Sequence, residues 1–332
     1  MRLLGFVALA VCAATGASEA AEWRVEIVNA PARVNAVEAV DGKAEVNAGG
    51  LWYQLSLEAG TVKLAFVDRP ETAERPSGAL PDGRIVTGTR DIARAWLAEP
   101  TARYDHGILG DAIEAGSVMI QGRDGKVNAV RLKDDAVFED LEPRLADLDD
   151  NGHDDIVVVK SYLKRGSALA VIGARNGKYD ILAETPPIGR PHAWLNPAGI
   201  ADYNGDGKID IALVRKPHVE GTLELWTWAD RKLHKTAELG DVSNHIAGTR
   251  ALHMSATADF DMNGVADLAV PSFDRGRIRI IAFAPQPHEL ASATLPAKAV
   301  TNLALLPSGD GLPPMIVLGL SNGSLALVRR DP

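Results

Sequence analysis

The chain has 332 residues, of which 46% are hydrophobic and 24% are charged, and its formal net charge is −9. This composition is typical of a soluble globular protein, and the length allows one to three ordinary domains. The acidic balance without a basic patch argues against nucleic acid or an anionic membrane surface as a partner.

The first 21 residues have the pattern of a secretory signal peptide. Arg2 precedes an apolar run over residues 3–14, and small residues follow it up to Ala20 and Ala21. The run is shorter than the ~20 residues that a membrane-spanning helix needs, and no later segment approaches that length. We therefore predict cleavage near Ala20 or Ala21 and a secreted or periplasmic protein. Lipid attachment at Cys12, the only cysteine, is not expected because a bulky valine precedes it.

Three acidic stretches of similar sequence recur along the chain. They read ADLDDNGHDDIVVV from Ala146, ADYNGDGKIDIALV from Ala201 and ADFDMNGVADLAVP from Ala258. Their first aspartates are 55 and 57 residues apart, a period typical of repeat architectures. We call the acidic parts loop one (147–155), loop two (202–210) and loop three (259–267).

The segments between these loops are short runs of β-branched and aromatic residues, bounded by Gly, Pro, Asn or Asp. Four such runs per repeat, without helical periodicity, predict an all-β fold, a β-propeller of six blades, or seven if residues 30–104 hide another. The last unit is one strand short, so we predict that residues 22–28 complete it and close the ring. The predicted single domain, 22–332, has approximate blades at 33–87, 104–140, 141–184, 193–239, 250–295 and 300–330.

One segment departs from this plan. The stretch TRDIARAWLAEP has Asp91 as an N-cap, apolar residues Ile92, Ala95 and Trp96 at helical spacing, and a proline as a stop. It predicts one short helix over residues 91–98.

The three loops carry oxygen ligands at fixed positions. Positions 1, 3, 5 and 9 have carboxylate or amide side chains, position 6 is glycine, and the variable position 7 suits a backbone carbonyl ligand. Three carboxylates and one amide per loop favour Ca²⁺ over Mg²⁺, which prefers a tighter octahedron, and over Zn²⁺, which prefers nitrogen and sulfur. The predicted ligands at positions 1, 3, 5, 7 and 9 are Asp147, Asp149, Asn151, His153 and Asp155; Asp202, Asn204, Asp206, Lys208 and Asp210; and Asp259, Asp261, Asn263, Val265 and Asp267.

An EF-hand is excluded because position 12, where a glutamate belongs, is Val158, Leu213 or Val270, and because strands flank the loops. The pattern D-x-[DN]-x-[DN]-G-x-x-D instead resembles the FG-GAP/VCBS calcium-binding repeats of integrin-α-like β-propellers, over roughly residues 105–283. The resemblance implies up to three Ca²⁺ ions, each held in a hairpin between two strands of a blade. We expect the ions to be structural, replacing the disulfides that the mature chain lacks.

A second candidate site consists of polar residues on the strands expected to line the central channel. Such a ring could bind an anionic ligand, a sugar or a metal, or its side chains could simply hydrogen-bond to channel water. The candidates are His192, Trp194, Asn196, His245, Arg250 and His253. Trp226 and Trp228 share one side of an outer strand, which favours packing between blades or, alternatively, a platform for carbohydrate.

No catalytic motif of the common hydrolase, metalloprotease or nucleotide-binding kinds is present, so no enzymatic activity is predicted. We expect a protein-interaction or scaffold module, plausibly monomeric, whose partner is a protein or a glycan. The alternatives are a lectin-like propeller and a hydrolase or oxidoreductase with its active site in the central funnel. An enzyme should bring the polar candidates together in a deep funnel, whereas a scaffold should have a shallow or filled channel.

Overall fold

The computed structural model describes residues 23–69, 75–309 and 311–331. In these ranges the chain forms antiparallel sheets and has no helix, which confirms the all-β fold class. No helix in the same ranges is long and apolar enough to cross a membrane. The predicted signal peptide lies outside the described residues, as does Glu22, the first residue of the predicted closing strand.

The strands form four four-stranded sheets and one nine-stranded sheet, and we number them in chain order. The first half of the chain supplies β1 (Trp23–Val28), β2 (Val34–Val40), β3 (Lys43–Ala48), β4 (Leu51–Glu58), β5 (Thr61–Val67), β6 (Ile85–Thr87), β7 (Ile92–Thr101), β8 (Glu114–Gly122), β9 (Val127–Arg131), β10 (Ala136–Phe138), β11 (Arg144–Ala146) and β12 (Asp155–Tyr162). The second half supplies β13 (Gly166–Arg175), β14 (Lys178–Glu184), β15 (Leu195–Ala201), β16 (Asp210–Arg215), β17 (Thr222–Ala229), β18 (Lys232–Leu239), β19 (Ala256–Ala258), β20 (Asp267–Pro271), β21 (Arg277–Ala282), β22 (His288–Thr294), β23 (Ala304–Leu306), β24 (Met315–Gly319) and β25 (Leu325–Arg330).

The sheets β2–β5, β15–β18 and β19–β22 each follow the order of the chain. The nine-stranded sheet joins β6–β9 to β10–β14, and a single residue pair, Phe138 with Ala115, links β10 to β8. The strands of the sheet β2–β5 span residues 34–67, within the predicted first unit of 33–87. The strands β6–β9 span residues 85–131, so this unit begins earlier than the predicted second unit of 104–140.

The three acidic loops all lie at the same end of the strands in their sheets. Each joins the first strand of a unit to the second: β11 to β12, β15 to β16, and β19 to β20. Because neighbouring strands are antiparallel, the turn from the second to the third strand and the connection to the next sheet lie at the other edge. We call the end of the strands that carries the acidic loops the loop edge, and the other end of the strands the opposite edge.

The N-terminal strand is paired with the last strand of the chain. In β1 the six residues from Trp23 to Val28 pair antiparallel with Arg330 to Leu325 of β25, which gives the sheet order β1-β25-β24-β23. This is the pairing that the isolated strand at the N-terminus led us to expect. It covers the backbone edge that β25 would otherwise expose.

The predicted helix over residues 91–98 is wrong, because residues 92–98 belong to strand β7. The strand pairs with β8 over most of its length and with β6 at its start, with a bulge between Ile92 and Arg94. Residues 95–98 are all buried. A short apolar run of this kind fits either helical or strand spacing, and pairing with the strands before and after it decides between them. Asp91 caps no helix but accepts a hydrogen bond from the backbone N–H of Asp154 at 2.7 Å.

Neighbouring sheets pack against each other through buried aliphatic faces. Val37 and Val46 of the first sheet lie in one cluster with Val317 and Leu327 of the last sheet. Other clusters join β15–β18 to β19–β22, and β19–β22 to the last sheet. The first and last sheets of the chain are therefore packed neighbours.

Leu327 tests this contact between the first and last sheets, because its side chain is fully buried there. We expect Leu327→Ala to lower the free energy of unfolding by about 2–5 kcal/mol, since it removes buried methyl groups and leaves a cavity. The matched control, Leu51→Ala, changes a leucine that is 52% exposed and should cost less than about 0.5 kcal/mol. Urea unfolding of the two variants provides the measurement, and equal losses would contradict the packing described.

Candidate functional site

The three acidic loops share one backbone arrangement. In loop three, the position-1 carboxylate of Asp259 accepts hydrogen bonds from the backbone N–H groups of Asn263 (3.0 Å) and Gly264 (2.7 Å). The amide oxygen of Asn263 accepts the backbone N–H of Val265 at 2.7 Å. Loops one and two repeat these contacts. In loop one, the backbone N–H groups of Asn151 (3.0 Å) and Gly152 (2.8 Å) donate to Asp147, and that of His153 donates to the Asn151 side chain (2.8 Å). In loop two, the backbone N–H groups of Asp206 (3.2 Å) and Gly207 (2.8 Å) donate to Asp202, and that of Lys208 donates to the Asp206 side chain (2.9 Å).

The glycine at position 6 adopts a backbone conformation that other residues rarely take. Its φ is +83° at Gly152, +79° at Gly207 and +90° at Gly264. An L-residue in the left-handed region costs roughly 1–2 kcal/mol, so this position explains why each loop has a glycine there.

The aspartate at position 9 is the first residue of a strand in every loop, and it is buried. Asp155, Asp210 and Asp267 are 7%, 0% and 1% exposed. Burial raises the pKa of Asp155 to about 6, and the nearby carboxylate of Asp149 raises it further. Burial likewise raises the pKa of Asp267 to about 6, with Asp261 as a second cause. Each loop therefore holds a buried carboxylate beside other carboxylates, an arrangement that a bound cation would stabilise.

The donor set fits a hard divalent cation. In loop three, one oxygen from each of Asp259, Asp261 and Asp267 lies within 4.8 Å of the other two. In loop one, Oδ2 of Asp155 is buried without a hydrogen-bond partner. Ca²⁺ prefers several oxygen ligands and does not favour nitrogen or sulfur.

The side chains at position 7 do not point into the loops as ligands. His153 Nδ1 lies 3.2 Å from Asp91 Oδ2, and the Lys208 side chain is 55% exposed. In loops one and two, position 7 therefore has its backbone carbonyl to offer to a cation, and that role stays a prediction.

Loop one differs from the others in having an arginine next to its carboxylates. Arg90, from the turn before β7, lies with Nη1 3.1 Å from Asp154 Oδ1 and with Nε 3.6 Å from Asp147 Oδ2. This guanidinium offsets part of the repulsion among the acidic groups of loop one. Loop three has the oxygens closest to a cation-binding arrangement.

The six residues of the second candidate site do not form one cluster. Asn196 is fully buried and donates both amide hydrogens to the backbone carbonyls of Asn244 (3.2 Å) and Leu252 (2.9 Å). Trp194, 2% exposed, donates from Nε1 to the carbonyl of Glu139 at 3.1 Å. These two side chains hydrogen-bond to the backbone of other segments, and because they are buried they offer no surface to a ligand.

His245 is also fully buried and belongs to a chain of neutral imidazoles. Its Nε2 donates to the carbonyl of Thr249 at 2.9 Å, so its Nδ1 accepts from Nε2 of His218 at 3.0 Å. Burial lowers the pKa of His245 to about 3 and that of His218 to about 4. Both rings pack against Trp194.

Arg250 and His253 are paired with different acids. Arg250 Nε lies 3.3 Å from Asp82 Oδ2, and His253 Nε2 lies 2.5 Å from Glu142 Oε1. Burial opposes ionisation of Glu142, but His253, together with nearby arginines, holds its pKa down at about 2. The two basic residues border adjoining pockets that share Glu38, Arg84 and Asn302 as lining residues.

His192 lies apart from these pairs, on the surface of the opposite edge. Its side chain is 49% exposed, and its ring stacks on that of His106 with centroids 5.0 Å apart. The tryptophans proposed as an alternative carbohydrate platform are buried, since Trp226 is 9% and Trp228 is 3% exposed. The sequence candidates thus fall into separate groups, each engaged with its own partners.

Sequence reasoning missed a group of interior carboxylates. Glu114 and Glu139 are 2% and 0% exposed, and the Asp82 side chain is 7% exposed. Burial, followed by repulsion from Glu139 and other acids, raises the pKa of Glu114 to about 9. The one available signal was the acidic run EDLE at 139–142, which stands between the short strands β10 and β11.

Glu114 predicts an unusual dependence of stability on pH. A carboxyl whose folded pKa is raised to about 9 from 4.5 contributes stability fully below pH 4.5 and loses it as the pH rises towards 9. We therefore expect Glu114→Gln to be more stable than the wild type at pH 8, by on the order of 2 kcal/mol, with a smaller difference at pH 5. Urea unfolding at both pH values measures this. Glu58→Gln, at the exposed last residue of β4, is the control, and a gain in stability that is independent of pH would contradict the raised pKa of Glu114.

Comparison with known proteins supports the repeat assignment. Residues 147–213 match a family model described as an FG-GAP-like repeat, which confirms the resemblance over loops one and two. This stretch of the chain is therefore similar to an FG-GAP-like repeat. No curated protein matches the sequence.

Two solved structures are similar to this chain at low identity. BBS1N, crystallised in complex with ARL6DN, matches with a TM-score of 0.43 and 13% identity, over 90% of this chain and 78% of that one. The rhamnogalacturonan lyase YesW matches with a TM-score of 0.42 and 14% identity, over 91% of this chain. The match spans 61% of the lyase chain.

Proposed function

We propose that this protein is a secreted or periplasmic β-propeller of six blades, stabilised by calcium, that acts as a protein-interaction or scaffold module. The observation that carries the proposal is the threefold recurrence of one loop arrangement at the loop edge, each loop placing a buried aspartate at the start of a strand. The localisation rests on the signal-peptide pattern of residues 1–21.

The count of six blades follows from dividing the nine-stranded sheet. Its halves, β6–β9 and β10–β14, are linked by one residue pair, whereas pairs within each half extend over several residues. Together with the four four-stranded sheets, this division gives six units. The packing of the first sheet on the last, and the ion pair between Glu38 and Arg84 (3.3 Å) on the other side of the first sheet, are consistent with a closed ring.

Calcium has a stabilising role in this proposal. The three predicted carboxylate ligands of each loop bring −3 of formal charge close together, and a cation that binds only the folded chain shifts the equilibrium towards it. The expected gain is ~2.7 kcal/mol per site at a hundred times the dissociation constant. Asp259, Asp261 and Asp267 would hold the ion in loop three, with corresponding residues in the other loops.

Calcium should therefore raise the unfolding temperature, and EDTA should lower it. Asp261→Asn should reduce the calcium-dependent gain, since it removes one charged ligand from loop three and leaves the other two loops unchanged. Asp134→Asn, at a fully exposed aspartate, should keep the full gain. Calorimetric scans with calcium and with EDTA measure the effect. An unfolding temperature insensitive to both would refute the stabilising role.

A binding role is favoured over catalysis because the polar candidates do not converge. Arg250 and His253 are neutralised by different carboxylates, and His245 is buried with both ring nitrogens engaged. The lectin-like alternative is less favoured because Trp226 and Trp228 are buried and cannot stack on a sugar ring. The surface that the sheets and their loops present is then the feature through which the protein would bind a partner.

The interaction role predicts calcium-dependent capture of a specific partner. The mature chain, immobilised with calcium and exposed to its native periplasm or medium, should retain a partner that is released by EDTA. Asp134→Asn should capture the same partner, and Asp261→Asn should need more calcium to do so. Capture that is identical with and without calcium, or turnover of an added substrate, would contradict the proposed role.

A further inference from the structure

We propose that the pocket beside Arg250 at the opposite edge binds a free α-amino acid, with Arg250 and Asp82 recognising its carboxylate and its ammonium group. This function goes beyond the interaction role proposed above and uses none of the acidic loops. The pocket has a volume of about 520 Å³, within the range of small-molecule sites. It is lined by residues that begin or precede β2, β6, β19 and β23, so segments from four sheets meet around it.

Charged side chains of both signs line this pocket. The arginines are Arg75, Arg84 and Arg250, and the carboxylates are Glu38 and Asp82. A simple anion would be repelled by the carboxylates, and a simple cation would be repelled by the arginines. A ligand that carries one group of each sign pairs with both kinds of side chain. The charge pattern therefore selects a zwitterion.

Arg250 is held only loosely by the acids beside it. Its Nε lies 3.3 Å from Asp82 Oδ2 and its Nη2 lies 3.7 Å from Asp111 Oδ2. A well-formed pair of this chain is shorter, since Arg144 Nη1 lies 2.7 Å from Asp140 Oδ2. The Arg250 side chain is also 59% exposed, so its guanidinium is available to donate two parallel hydrogen bonds to a ligand carboxylate.

Asp82 lacks hydrogen-bond donors. Its side chain is 7% exposed, and within the described residues its buried Oδ1 has no hydrogen-bond partner. Burial, followed by repulsion from Asp111, raises the pKa of Asp82, so Arg250 does not fully offset its charge. A buried carboxylate without enough donors is unfavourable, and an ammonium group brings three N–H donors and a positive charge.

The two charged groups are spaced like those of an α-amino acid. In such a ligand the ammonium nitrogen and the carboxylate are bonded to the same carbon, so the opposite charges are close together. Asp82 and Arg250 are likewise neighbours, with 3.3 Å between the nearest atoms. The terminal charges of a peptide are separated by at least one more residue, which fits this pair less well.

Arg84 connects this pocket to a second one. Its Nη2 lies 3.3 Å from Glu38 Oε1 and its side chain is 44% exposed, so it is a second loosely paired guanidinium beside the ligand. Arg84 also lines the adjoining pocket of about 370 Å³, together with apolar residues that include Leu303 and Leu305. This second pocket has room for the side chain of the amino acid, and its apolar residues favour an aliphatic one.

Titration calorimetry of the mature chain with L-leucine in excess Ca²⁺ tests the proposal. We expect one L-leucine to bind per chain. N-acetyl-L-leucine lacks the ammonium group, and L-leucinamide lacks the carboxylate. Each should bind about 10–100-fold more weakly, because each leaves a charged side chain of the pocket without its partner.

Two variants test the recognising groups separately. Arg250→Gln and Asp82→Asn should each weaken L-leucine binding about 10–100-fold. Asp82→Asn should also reduce the preference for L-leucine over N-acetyl-L-leucine, whereas Arg250→Gln should reduce the preference over L-leucinamide. Arg131→Gln, at an arginine that is 60% exposed and lies outside the pocket, should bind as the wild type does.

Equal affinity for L-leucine and N-acetyl-L-leucine would indicate an anion site and overturn the proposal. Undiminished binding by both variants would overturn it as well, since the amino acid would then bind elsewhere. If L-leucine does not bind, titrations with L-lysine and L-glutamate test basic and acidic side chains, and absence of binding by all three refutes the site. The comparison of blocked and free L-leucine uses only the wild type, so it is decisive even if a substitution prevents folding.

Discussion

Burial of an aspartate at the first residue of a strand is the constraint on which the repeated units depend. Asp155, Asp210 and Asp267 begin β12, β16 and β20, beside carboxylates from the same loop. Part of the cost is met by backbone groups, since Tyr203 N–H donates to Asp210 and Phe260 N–H donates to Asp267. The cation of the proposed function would offset the remaining repulsion. The loop that we propose to bind a cation thus also joins the first strand of each unit to the second.

Antiparallel order within the sheets then separates two kinds of chemistry. The acidic loops lie at the loop edge, where short hairpins place oxygens at fixed spacing along the chain. The opposite edge gathers connections that are distant in sequence, and its contacts, such as His106 with His192 or Arg250 with Asp82, join different sheets. Local sequence determines the first edge, and the assembly of several sheets determines the second.

This division explains how much could be predicted from sequence. The loops, most strands and the pairing of the N-terminal strand with β25 follow from spacing, turn residues and the need to cover a sheet edge. The helix over residues 91–98 was wrong because the spacing in a short apolar run is ambiguous, and backbone pairing with the neighbouring strands β6 and β8 decides the outcome. Glu114 could not be recognised, because nothing local to it indicates that it is buried, and the acidic run EDLE at 139–142 was the only signal for Glu139. The grouping of the six funnel candidates failed for the same reason.

The two edges also differ in how they tolerate unfavourable groups. At the loop edge, like charges are adjacent in sequence, so any cation that stabilises one member stabilises the whole loop. At the opposite edge, Glu114 is kept neutral by burial, His192 has a strained backbone, and Glu139 is satisfied by hydroxyls and an imidazole. Such groups persist only where the surrounding sheets are rigid enough to hold them. In the proposed function, cations bound at the loop edge would supply part of the stability that offsets these groups.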